Sequence, residues 1–225
     1  MFGRASLLLS RVGAAFGSAG VSPLRGRVSN RALVIVTLLS GCSRGPARIE
    51  APDWDPPALA ERILSDLDKN GDAYVDVEEL TAAPGLAAGA RFIDKDKDGR
   101  LSGEEIEDRF EKYRTMRVGL QPKAFRVTYR ARPVGGAEVA FLPEPFLEGI
   151  IKPAKGTTDS QGIVNPQTEG QELLGMRPGY YRIQIISPVI KIPAKYSSPT
   201  ALGAEASPMV DDPFAGGAPE LRLTD

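Results

Sequence analysis

Two stretches of the chain place oxygen-bearing side chains on alternate positions of the same twelve-residue frame, 26 residues apart: DKNGDAYVDVEE (68–79) and DKDKDGRLSGEE (94–105). Places one, three and five hold Asp68, Asn70 and Asp72 in the first, and Asp94, Asp96 and Asp98 in the second. Place seven offers a main-chain carbonyl (Tyr74, Arg100), place nine Asp76 or Ser102, and place twelve Glu79 or Glu105. Carboxylates so close together repel one another unless a cation shares them, so the frame asks the backbone to curl around one point. Place eight is apolar in both, Val75 and Leu101, which ties each curl to a core.

Calcium takes six to eight oxygen ligands in a flexible cage, and both frames resemble the EF-hand loop that supplies them. The resemblance implies Ca2+ as the cofactor, held by Asp68, Asn70, Asp72, Tyr74, Asp76 and Glu79, and by Asp94, Asp96, Asp98, Arg100, Ser102 and Glu105. An overlapping frame beginning at Asp66 puts Gly71 at the sixth place, where a sharp turn is needed. It then leaves Ala73 at the eighth and Val77, which has no side-chain oxygen, at the twelfth. The frame beginning at Asp68 departs only at the sixth place, where Ala73 replaces glycine. An alanine at φ > 0 costs on the order of 1 kcal/mol, about tenfold in affinity, so the first loop is expected to bind more weakly than the second.

The flanks fit helices. Leu59, Ile63, Leu64 and Leu67 recur at helical spacing after a start signal at Asp55-Pro56, and Ile106, Phe110 and Tyr113 mark one helix face. Only fourteen residues, 80–93, separate the loops, and Pro84-Gly85 leaves room for short helices over 78–83 and 86–93. Val75 and Leu101 are expected to pair across a two-stranded bridge. The compact spacing resembles the EF-hand pairs of bacterial extracytoplasmic proteins, and the pair is assigned to residues 58–117. Of four methionines only Met116 lies near it, which favours a stabilising clamp over a sensor that opens a Met-rich groove.

Upstream, seven arginines precede the first acidic residue, Glu50, five of them ahead of the apolar run ALVIVTLLS (32–40), which is too short to span a bilayer. It has the length of a signal-peptide core. The following Leu39-Ser40-Gly41-Cys42 resembles the bacterial lipobox, in which lipid is attached to the cysteine. That resemblance makes residues 1–41 a lipoprotein signal peptide and Cys42 the lipidation site. Residues 42–57 then form a tether, and the protein is expected outside the cytoplasm, lipid-anchored to a membrane. Without residues 1–41 the chain has 23 basic and 29 acidic residues, about −6, which argues against nucleic acid as a partner. There is no histidine and a single cysteine, so imidazole catalysis and an intrachain disulfide are excluded and a zinc site is disfavoured.

From Leu120 the pattern changes to short alternating runs separated by Gly and Pro. FRVTYRA (125–131) and AEVAF (137–141) read as a hairpin around Pro133-Val134-Gly135-Gly136, and GYYRIQIIS (179–187) as a third strand. Weaker strand signals lie at 155–158, 162–165 and 221–223. About seven short strands point to an all-β sandwich over 118–225, and hence to an α+β multidomain chain. The landmarks GTTDSQGIV, RPGYYRIQI and IPAKYSSPTAL, in that order, resemble a transthyretin-like, carboxypeptidase-regulatory-like domain. Such domains recur in lipoproteins of planctomycete-type bacteria. LPEPFLEGIIKPAKG (142–156) departs from that pattern and reads as a segment looping out of the sheets.

The resemblance implies a fold and a binding, adhesion or folding role, not an activity. A histidine-dependent hydrolase on the same fold is excluded by composition. A Ser-Lys arrangement of Lys195 with Ser197 or Ser198 has no further sequence support, and Glu105 of the pair Glu104–Glu105 belongs to the metal frame. The expectation is therefore a non-enzymatic, calcium-binding surface lipoprotein whose sandwich binds protein or glycan, with Tyr180, Tyr181 and Tyr196 as candidates for an exposed aromatic patch. The alternatives are a subunit of an envelope assembly that accepts a partner strand at a sheet edge and, least favoured, an unrecognised hydrolase.

Overall fold

The computed structural model describes residues 49–209 and 218–225, so the signal peptide, Cys42 and the first part of the tether lie outside the described residues. Helix α1 (Pro56–Leu67) starts where its signals predict: the Asp55 side chain accepts the Ala58 N–H at 3.3 Å, and prolines fill the first helical positions. It ends at the first acidic loop. Strand β1 (Tyr74–Val75) and helix α2 (Val77–Leu80) close that loop, and α3 (Pro84–Ile93) leads into the second. Strand β2 (Leu101–Ser102) and α4 (Gly103–Met116) complete the helical part. β1 and β2 pair antiparallel with Val75 opposite Leu101, as the apolar eighth places predict.

The rest of the described chain forms two sheets. One has five antiparallel strands in the order β10 (Gly203–Ala206), β9 (Gly179–Ile186), β5 (Glu138–Pro143), β6 (Ala154–Thr157), β8 (Gln167–Thr168). The other is built on β3 (Phe125–Tyr129), which pairs with β4 (Arg132–Pro133), β7 (Ile163–Val164) and, in parallel, β11 (Glu220–Leu223). Alternation puts Phe141, Ile183 and Ile185 on one face of the first sheet, and there Phe125 of the second meets Phe141 with ring centroids 4.9 Å apart.

The expected hairpin between 125–131 and 137–141 does not form, because β3 and β5 belong to different sheets. β3 turns back instead at Arg130-Ala131, both at positive φ, and pairs with the short β4. Such a two-residue turn matches strand twist, and residues 134–137 then carry the chain across to the other sheet. The segment 142–156 does not loop out either. Phe146, Leu147 and Ile151 are buried, Pro145–Leu147 forms a turn of 3₁₀ helix, and Ala154–Thr157 is a strand. Its apolar residues leave water more readily than they would stay in a loop.

The described residues lie in one compact unit, and the expected boundary at 117/118 is crossed by a shared core. The second face of β9 explains why. Tyr180 points away from the sheet interior and meets Phe110 of α4 edge-on at 5.8 Å. Trp54, in the segment expected to be a tether, packs on Phe110 and Tyr113 at 5.5 and 5.6 Å, and Arg177 donates to the Glu50 carbonyl at 2.9 Å. Helix α3 lies directly on β9 and β10. A Cβ on Gly85 would stand 2.7 Å from the Tyr181 nitrogen, and one on Gly89 would stand 2.7 Å from the Tyr180 ring. The order is thus helices, five-stranded sheet, second sheet.

Candidate metal centre

Both acidic loops are organised by the same bonds. In the first, Asp68 accepts the N–H of Gly71 at 2.6 Å and of Ala73 at 2.9 Å; in the second, Asp94 accepts those of Lys97 at 2.6 Å and Gly99 at 3.1 Å. Asn70 and Asp96 accept from the residue two places on, and Asp72 and Asp98 do the same. Glu79 accepts the Lys69 and Asp76 N–H groups at 2.7 and 3.0 Å, and Glu105 those of Lys95 and Ser102 at 2.7 and 3.0 Å. Asp68 and Asp94 are therefore equivalent first places. Asp66 lies within α1, beside Arg62.

The twelfth-place glutamates have a second duty. Each is the third residue of a helix, and each forms a capping box with the ninth-place residue: Glu79 with Asp76 on α2, Glu105 with Ser102 on α4. The carboxylate that closes the loop thereby also starts the next helix. Burial pushes the Glu105 pKa up, but the N–H bonds from Ser102 and Lys95 and the Ser102 hydroxyl outweigh it and hold the carboxyl below its usual value. It is an anion at neutral pH.

The backbone modifies the expected ranking of the loops. Ala73 sits at φ 69° and Gly71 at φ 78°; in the second loop Lys97 has φ 63° and Gly99 φ 85°. Each loop thus has two positive-φ places, the fourth and the sixth, with one glycine between them. The penalty that the sequence assigns to the first loop alone falls on both.

One oxygen each of Asp94, Asp96 and Asp98 lies within 4.8 Å of the others. These three carboxylates form an all-oxygen group, which suits a hard divalent cation, and Arg100 and the anionic Glu105 hold the seventh and twelfth places of the same loop. The Arg100 guanidinium stacks 4.0 Å over the Tyr74 ring and lies 3.1 Å from Asp98 and 3.8 Å from Asp72, joining the two loops through their seventh places.

Other proposed sites fare differently. Tyr180, Tyr181 and Tyr196 are all buried and form no exposed patch. Lys195 donates to the Asp225 carbonyl at 3.0 Å and Ser197 to Ala194 at 2.6 Å, so both have partners other than one another. The open part of the five-stranded sheet's helix-side face holds a groove of about 440 Å³ lined by Glu138, Lys155, Thr157, Gln167, Gln184 and Ile186.

Two buried clusters were not foreseen. Arg109 of α4 and Glu205 of β10 form an ion pair at 2.7 Å, both nearly excluded from solvent, and the Tyr113 hydroxyl also bonds Glu205. Arg109 does stand on the Ile106–Phe110–Tyr113 face, a polar interruption of an apolar stripe that could have flagged it. Glu144 is fully buried, accepts the Gly85 N–H at the start of α3 at 2.6 Å, and lies 3.7 Å from Arg182. Burial raises its pKa to about 7 against the opposing pull of Gly85 and Arg182.

Comparison with known protein families, with curated proteins and with solved structures finds no match to this chain. Among the described residues no helix is long and apolar enough to cross a membrane.

Proposed function

We propose that the chain is a calcium-binding, membrane-anchored extracytoplasmic lipoprotein that acts as a non-enzymatic binding or structural module. The observation that carries the calcium reading is the bond-for-bond equivalence of the loops 68–79 and 94–105, each with an EF-hand's donor order. A clamp is favoured over a sensor because the apolar faces of α1, α3 and α4 are occupied by the shared core. The two facing sheets and the turn at Asp159, which accepts the Gln161 and Ile163 N–H groups, support the transthyretin-like reading of 118–225. Lipidation at Cys42 rests on the lipobox resemblance alone.

For the β-part, the groove beside Ile186 supports a ligand face better than strand addition does. The sheet edges are short: β8 has two residues, while β11 has four and turns Glu220 and Arg222 outward. Isothermal titration with calcium tests the central claim. Two sites are expected, with Glu79→Gln and Glu105→Gln each removing one; absence of binding at millimolar calcium rejects the reading.

A further inference from the structure

Resting on that calcium reading, we infer that the Arg109–Glu205 pair couples the second loop to the five-stranded sheet, so that cation binding at 94–105 stabilises β9 and β10 as well as the loop. Glu105, Arg109 and Tyr113 follow one another at four-residue steps along α4, on one helix face. The first closes the acidic loop and the other two hold Glu205. Glu205 receives Arg109 Nε at 2.9 Å and Nη2 at 2.7 Å, together with the Tyr113 hydroxyl. These donors come from α4, and the acceptor lies 96 residues away from Arg109 on β10.

The side chains of Arg109 and Glu205 are 3% and 6% exposed. A pair so enclosed cannot part without leaving two charges in a poorly solvated place, so α4 cannot move away from β10 cheaply. The same helix is anchored on β9 by Phe110 and Tyr113 against Tyr180, with centroids at 5.8 and 6.3 Å. α3, which delivers the chain to Asp94, lies on those two strands from the other end of the loop. Both helices that flank the second loop are therefore seated on one pair of strands. A ligand that holds their ends together must also oppose opening of the sheet beneath them. Arg109 and Glu205 act as positioning residues: they make no contact with the cation and fix the helix whose third residue supplies the closing carboxylate.

Amide hydrogen exchange on the full chain, read peptide by peptide with excess chelator or with free calcium at about ten times the dissociation constant, tests this. A single coupled site slows exchange about tenfold at that excess. In the wild type the slowing is expected both over 94–105 and over 179–186 and 203–206. In Arg109→Leu/Glu205→Leu, which removes the pair without stranding either charge, it is expected over 94–105 only. Protection confined to the loop in the wild type overturns the coupling and leaves the calcium reading intact. Full sheet protection in the double variant assigns the link to aromatic packing and overturns the role given to the pair. No protection anywhere, including 94–105, overturns the calcium reading and the coupling together.

Discussion

A residue with φ near +65° contributes strain whose size depends on its side chain, and Ala73 and Lys97 are matched in this respect. Left-handed backbone costs an L-residue about 1–2 kcal/mol, of which glycine's extra freedom in the unfolded chain returns part. Ala73→Gly and Lys97→Gly are each expected to stabilise the calcium-loaded chain by about 0.5–1 kcal/mol, measured as a shift in the urea midpoint. A gain for Ala73→Gly alone would restore the ranking that the sequence suggests. The formal charge of the donors does not separate the loops either, since each has four carboxylates: Asp68, Asp72, Asp76 and Glu79, against Asp94, Asp96, Asp98 and Glu105. The order of the loop side chains was legible because spacing within twelve residues is a local property. The φ of Lys97 was not, because a lysine at the fourth place carries no such mark.

At the scale of elements, α1 and α4 could be read from apolar spacing and caps, whereas α3 shows what such signals miss. Its first turn lacks a local side-chain cap and is served instead by Glu144, 59 residues away. Burial favours the protonated carboxyl, and its folded pKa of about 7 exceeds the ordinary value of 4.5. The stability this group contributes is therefore full below about pH 4.5 and is lost as pH rises through about 7, by on the order of 3 kcal/mol. Glu144→Gln keeps an oxygen for the Gly85 N–H and cannot ionise. Its urea midpoint is expected to lack the decline that the wild type shows between pH 5 and pH 8, and to exceed the wild-type value at pH 8. An unchanged pH profile would assign the decline to another group. The charged group that faces this carboxyl is Arg182 of β9, 3.7 Å away. The strand switch at 134–137 escaped for a related reason. Alternation marks β3 and β5 as strands, but which sheet each joins is decided by the turn at Arg130-Ala131 and by the core.

At the scale of the whole molecule, the helical and strand parts share one core, so their unfolding should be a single event. Trp54 is the only tryptophan, and it packs on α4 where that helix meets β9. Its fluorescence and the far-ultraviolet circular dichroism are expected to report the same urea midpoint, with or without calcium; two separated transitions would mean that the helical part opens alone. By itself the sequence determined the two acidic loop frames, the helices that flank them, the bridge between Val75 and Leu101, and the three strongest strands. Each of these is set by side chains within a dozen residues, where periodicity, capping and ligand geometry act directly. Only the tertiary structure decided that Tyr180 and Tyr181 are buried on opposite faces of one strand, that Trp54 belongs to the core, and that Arg109 meets Glu205. Those outcomes depend on which surfaces exclude water from one another across separations of up to about a hundred residues, and no local pattern encodes that choice.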